Sequence, residues 1–100
     1  MTKSIIQKDK THCFICERNG SIEPLERHHV FFGTAKRELS EKYGLTVYIC
    51  ANSCHKSGKF SVHKNSELNR VLQAKAQRIA MNYYKWSVDD FIHIFGKSYI

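Results

Sequence analysis

Proline is nearly missing from this chain: Pro24 is the single one in 100 residues, and there is no internal repeat or low-complexity tract. With no linker to separate two units, the expectation is one domain over residues 1–100. Long apolar runs are also missing. A membrane span needs about 18 consecutive apolar residues, and the longest run here is a handful. The start, Met1-Thr2-Lys3-Ser4, has no apolar core of an export signal, so a soluble, cytoplasmic protein without membrane contact is expected. Negative charge is scarce as well, 9 acidic residues against 16 basic ones, for a formal net charge of +7. Such an excess favours a polyanionic partner, with nucleic acid foremost, because basic side chains that neutralise phosphates gain affinity by releasing counterions. The same charge spread thinly over a surface would only keep the chain in solution.

What the chain does have is four cysteines in two tight pairs, Cys13-x2-Cys16 and Cys50-x3-Cys54. Thiolates two or three residues apart at a turn converge readily on one tetrahedral zinc, whereas half-cystines so close together rarely bridge one another. A secreted disulfide framework would require an export signal. A redox Cys-x-x-Cys would use one pair in a βαβ setting, and this chain offers two pairs without that pattern. Structural Zn2+ on Cys13, Cys16, Cys50 and Cys54 is therefore expected. In so small a domain the core is thin, and folding should depend on the metal.

Around these pairs the pattern predicts a small α+β protein. Asn19-Gly20 has turn chemistry, and Glu26 to Phe32 reads as a short strand stopped by Gly33. Thr34 is expected to cap a helix through Tyr43 that Gly44 ends. Leu45 to Ile49 reads as a second strand running into Cys50, with Cys54 and His55 opening the next turn. Asn65 or Ser66 caps a long helix with Leu68, Val71, Leu72, Ala76, Ile79 and Tyr83 on its packing face and Arg70, Lys75 and Arg78 on the other. Ser87-Val88-Asp89-Asp90 is an acidic capping box for a last short helix through Phe91, Ile92 and Phe95, ended by Gly96. Residues Met1 to Thr11 are polar and carry no pattern.

The chemistry-bearing feature is the doublet His28-His29, with His55 directly after the last cysteine. A phosphodiester-hydrolysing metal site needs imidazoles or carboxylates to hold a divalent cation and a base to deprotonate water. Adjacent strand residues point to opposite sides, so one member of the doublet would hold metal and the other act as base. His12 and His93 have no such registration with the cysteine pairs.

From Cys13 to about His63 the chain resembles the HNH nucleases, the His-Me finger or ββα-metal superfamily, in the zinc-stapled branch that includes phage junction-resolving endonucleases. There a Cys-x2-Cys knuckle is followed about a dozen residues on by an Asp-His or His-His doublet, and the second knuckle is followed at once by Asn or His. Cys13-Phe14-Ile15-Cys16, His28-His29 and Cys54-His55 match that layout. The resemblance implies a zinc-stapled, treble-clef-like ββα-metal core over residues 12–64, with C-terminal helices over 65–100. It implies His28 and His55 as ligands of a catalytic Mg2+ or Mn2+, His29 as general base, and hydrolysis of DNA to 5′-phosphate and 3′-hydroxyl ends. His63, eight residues after His55, is a further metal or phosphate contact by the same resemblance.

The chain departs from the pattern at two places. The central Asn of the H-N-H pattern is absent from Lys42-Tyr43-Gly44-Leu45-Thr46, so something else must orient His29 or activity is weak. The second knuckle has a three-residue spacer where two is usual. Lys36, Arg37 and Lys42 follow the doublet closely and are candidates to hold the DNA backbone. Nothing is arranged to read base edges, so little sequence specificity is expected. The functional expectation is a metal-dependent DNA endonuclease in phage or prophage DNA processing or recombination, with a recombination protein or a second copy of the chain as possible partners. The alternative is a non-catalytic zinc module that binds nucleic acid or a protein.

Overall fold

The computed structural model describes residues 3–17, 19–21, 23–51 and 65–100. Among them the order is β1 (Leu25–His29), α1 (Thr34–Tyr43), β2 (Thr46–Cys50), α2 (Ser66–Tyr84) and α3 (Val88–Phe95), a small α+β arrangement. The strands form one antiparallel pair in which Leu25 faces Cys50, Arg27 faces Tyr48 and His29 faces Thr46. Cys54, His55 and His63 lie outside the described residues.

β1 begins one residue earlier than its composition suggests and ends three residues earlier, at His29. Hydrogen bonding explains the early end. The Val30 N–H still donates to the Leu45 carbonyl at 3.0 Å, but at Phe31 the Ser40 hydroxyl replaces the strand partner. Ser40 Oγ accepts from the Phe31 N–H at 3.0 Å and donates to the Phe31 carbonyl at 2.7 Å. With its backbone satisfied by a side chain, Phe31 turns into the core, fully buried against Phe91, Phe95 and Tyr99 with ring centroids at 5.6, 4.9 and 4.8 Å.

The connection between the strands is α1. Its N-cap is Gly33, at φ 100°, rather than the expected Thr34, which is the first helical residue. Gly44 ends the helix in the left-handed conformation, as expected, donating its N–H to the Ser40 carbonyl. Its φ is +72°, and a Cβ there would stand 2.4 Å from the Lys3 carbonyl oxygen, so glycine is required twice over.

That approach marks a departure from the sequence expectation, because the N-terminal segment read as featureless is docked along the edge of β2 that β1 leaves open. Ile5 N–H donates to the Gly44 carbonyl at 2.9 Å, and Ser4 Oγ donates to the Thr46 carbonyl at 2.5 Å. Gln7 is buried; its amide donates to the His12 carbonyl at 2.7 Å and its Oε1 accepts from the Tyr48 N–H at 2.6 Å.

In α2, Asn65 is the cap, its Oδ1 accepting from the Leu68 N–H at 2.9 Å. The buried face is Leu72, Ala76, Gln77 and Ala80, rotated from the one expected. Val71 and Tyr83 are each 62% exposed. The reason is Gln77, whose Oε1 accepts from the Tyr99 N–H at 2.6 Å and whose amide donates to Ser98 Oγ at 3.1 Å. A polar side chain thus occupies the centre of the face because the C-terminal residues need its hydrogen bonds. α3 follows expectation: Ser87 and Asp90 form a reciprocal capping box, Gly96 ends the helix, and Phe91 and Phe95 are buried. No helix among the described residues is long and apolar enough to cross a membrane.

Candidate functional site

The first knuckle is a turn in which Glu17 N–H donates to the Cys13 carbonyl, and it is held to β2 by Phe14 N–H donating to the Tyr48 carbonyl at 2.8 Å. Cys50 ends β2 beside it. The donor atoms of Cys13, Cys16 and Cys50 all lie within 4.8 Å of one another. Cys13 and Cys50 are buried and Cys16 is exposed, and all three are free thiols. The backbone N–H groups of Ile15, Cys16 and Cys50 each donate to Cys13 Sγ at 3.4 Å.

These donors set the local acidity. Burial opposes ionisation of Cys13, but the N–H groups of Cys16, Cys50 and Ile15 outweigh it and bring the thiol down to about 7. Cys50 goes the other way, to about 12, first because burial penalises its thiolate and then because the sulfurs of Cys16 and Cys13 crowd it. Without a cation, three thiolates cannot coexist this closely. A soft metal ion supplies the missing charge, so the donor set fits one and the Cys13, Cys16 and Cys50 group can hold it.

The histidine doublet divides as its strand position requires. His28 is buried, with its ring centroid 5.8 Å from that of Phe32. His29 lies on the other face, together with Arg27 two residues earlier. Both meet Glu41, from the last turns of α1. Arg27 clamps the carboxylate with two N–H donors, Nη2 to Oε2 at 2.9 Å and Nη1 to Oε1 in a very short contact. His29 Nε2 stands 3.1 Å from the same Oε1. This pairing raises the Arg27 guanidinium above its ordinary value, chiefly through the Glu41 hydrogen bond. Beside the triad opens a groove of 770 Å³ lined by His29, Phe32, Gly33, Arg37, Glu38 and Glu41.

No protein-family model, curated protein or solved structure matches this chain.

Among the basic candidates, Arg37 is exposed at that groove. Lys36 is turned to the C-terminal residues, its Nζ donating to the Tyr99 hydroxyl at 3.0 Å and lying 5.6 Å from that ring's centre. Lys42 extends over the Tyr43 ring at 5.4 Å. Sequence reasoning missed Arg27 and Glu41. Arg27 carried a signal, the two-residue spacing that puts it on the face of His29. Glu41 carried none, since only the packing of α1 against β1 brings it there. Cys13, Cys16 and Cys50 are the one group of three metal-donor side chains among the described residues.

Proposed function

We propose that this chain is a zinc-stapled, metal-dependent DNA endonuclease of the HNH type. The observation that carries the reading is that two segments over thirty residues apart bring Cys13, Cys16 and Cys50 to one point at the end of the same strand pair that presents His28 and His29 on opposite faces. In this reading Cys54 completes a tetrahedral Zn2+ site and the core is treble-clef-like, as in the family that the motifs resemble.

His29 is the general base. Its Nε2 faces the Glu41 carboxylate, which selects the tautomer with the proton on Nε2 and leaves the Nδ1 lone pair to accept a proton from water. The hydroxide so formed attacks phosphorus, the bond to the 3′ oxygen breaks, and that oxygen takes a proton from solvent water, so that a 5′-phosphate and a 3′-hydroxyl result. Glu41 stabilises the imidazolium that develops, and Arg27 holds Glu41 in place, so this pair does the orienting that the absent Asn would do. His28 and His55 are the ligands by resemblance for Mg2+ or Mn2+, which supplies Lewis acidity at the scissile phosphate when bound. Arg37, at the groove mouth, is placed to meet the DNA backbone.

The test is nicking of supercoiled plasmid by zinc-loaded protein with Mg2+ or Mn2+, beside EDTA and a folded His29→Ala variant. Cleavage lost in both controls is the expected result. Cleavage absent with every divalent ion, or equal in the variant, would move the assignment to a non-catalytic zinc module. One contact favours that second reading: the His29, Arg27 and Glu41 cluster, half-buried, would also serve simply to fasten α1 to β1.

A further inference from the structure

Among the described residues, positive charge is not gathered at the groove beside His29. The groove beside His29 has two carboxylates, Glu38 and Glu41, against Arg37 among its lining residues. A second, larger groove of 910 Å³ runs between the N-terminal segment and the C-terminal half of α2, and it shares no lining residue with the first. Lys3, Lys8 and Lys10 line one wall, Asn82 and Tyr83 the other, and none of its described lining residues is acidic.

The groove is built on a fixed frame. Ser4 Oγ accepts from the N–H groups of Ile6 and Gln7 at 3.1 and 3.0 Å, so the segment that carries the lysines turns on itself where it docks on β2. All three lysines are exposed. On the facing wall, Tyr83 is 62% exposed although the pattern of α2 had marked it for the core. Its ring meets that of Tyr84 in a T-shaped contact with centroids 4.9 Å apart, and Tyr84 is itself stacked on Trp86 at 4.7 Å. Tyr83 is thus a largely exposed aromatic side chain, held edge-to-face with Tyr84, in a groove that three lysines also line.

We infer that this second groove binds single-stranded nucleic acid, with Lys3, Lys8 and Lys10 on the phosphates and a base stacked on Tyr83. The lysines alone would serve any polyanion, and the aromatic face is what selects the unpaired strand. In a duplex the bases are already stacked on their neighbours, whereas an unpaired base can place its π-face on a side chain, and such stacking is sequence-tolerant. The Asn82 amide, beside Tyr83, can donate to phosphate or base. The inference concerns binding and stands apart from whether the chain cleaves DNA.

The experiment is fluorescence anisotropy with zinc-loaded full-length protein, no other divalent ion, and a labelled oligothymidylate of about 12 nucleotides. Tyr83→Ala should weaken binding at least about fivefold while Tyr83→Phe binds like the parent. Replacing Lys3, Lys8 and Lys10 together by Gln should make the slope of log affinity against log salt shallower by about 2, at ~0.7 per phosphate contact on a single strand. A duplex of the same length should compete weakly. Equal binding by parent and Tyr83→Ala, an unchanged salt slope in the triple variant, or polyglutamate competing as well as the oligonucleotide would each overturn the inference. Circular dichroism spectra of the variants should match that of the parent, since the substituted side chains are exposed.

Discussion

Glu41 sits at the junction of packing and chemistry. Its carboxylate is shared between Arg27 and His29, so replacing it disturbs the tautomer of one and the charge pairing of the other. On the proposed reading, Glu41→Gln should lower the nicking rate at least about tenfold with zinc content and circular dichroism unchanged, because the amide can still bond to Arg27's surroundings but no longer stabilises the imidazolium. Rates equal to the parent would remove Glu41 from the mechanism. The cysteines give a second prediction. With Cys50 pushed up to about 12, that thiol is protonated at neutral pH in the metal-free chain, and a metal must displace its proton. Zinc affinity should therefore rise from mildly acidic to mildly alkaline buffer, and calorimetry in two buffers of different ionisation enthalpy should register proton release. No proton release would contradict the thiolate ligand set. At this scale, with Cys54 outside the described residues, Cys13, Cys16 and Cys50 were legible as a group that can hold a metal, because closely spaced cysteines carry their own geometry. Glu41 and Gln77 were not, since each is defined by a group far away in sequence, His29 in one case and the Tyr99 N–H in the other.

Helix ends were the most legible elements, being governed by neighbours one to four residues away. The capping box of α3 is an example: Ser87 Oγ accepts from the Asp90 N–H at 3.1 Å while the Asp90 carboxylate accepts from the Ser87 N–H at 2.9 Å. Ser87→Ala should cost about 1 kcal/mol in urea denaturation. The Ser87 backbone and hydroxyl hold the Asp90 carboxyl below its ordinary 3.8. Its contribution is present above that value and is lost as the pH falls through the lower native one. The stability gap between parent and Asp90→Asn should accordingly close in acid, and a gap constant with pH would refute the assignment. Faces were harder to read than ends. In α2 the apolar residues at helical spacing included Val71 and Tyr83, yet both are exposed because the face turns to bring Gln77 to the C-terminal residues. The first strand was overrun for a similar reason: Val30 and Phe31 have strand-like side chains, but Ser40 claims the Phe31 backbone.

Among the described residues, taken as a whole, the sheet has two strands, and the core collects around Phe31 from the chain after β1 and from β2, α2, α3 and the C-terminal residues. Two strands are too few to be stable alone, so the cysteine cluster that ties the first knuckle to the end of β2 should contribute to folding. A strong zinc chelator should lower the melting temperature of the zinc-loaded parent. Cys50→Ser should start at the lowered value and respond little to the chelator. A parent that melts identically with and without the chelator would show that the cluster is dispensable for the fold.

The docking of residues 3–10 on β2 has a consequence for the behaviour of the protein in concentrated solution. A sheet of two strands has two rims, and on β2 the outer rim is occupied by Ser4, Ile5 and Gln7, which bond to the Thr46 carbonyl, the Gly44 carbonyl and the Tyr48 N–H. Removing that segment would free the Gly44 and Thr46 carbonyls and the Tyr48 N–H to accept a strand from another molecule, while the Tyr48 carbonyl stays with the Phe14 N–H and the Cys50 N–H with Cys13 Sγ. A chain lacking residues 3–10 should therefore self-associate with rising concentration in sedimentation velocity while the intact chain does not. On this view the polar N-terminal stretch is a guard against aggregation.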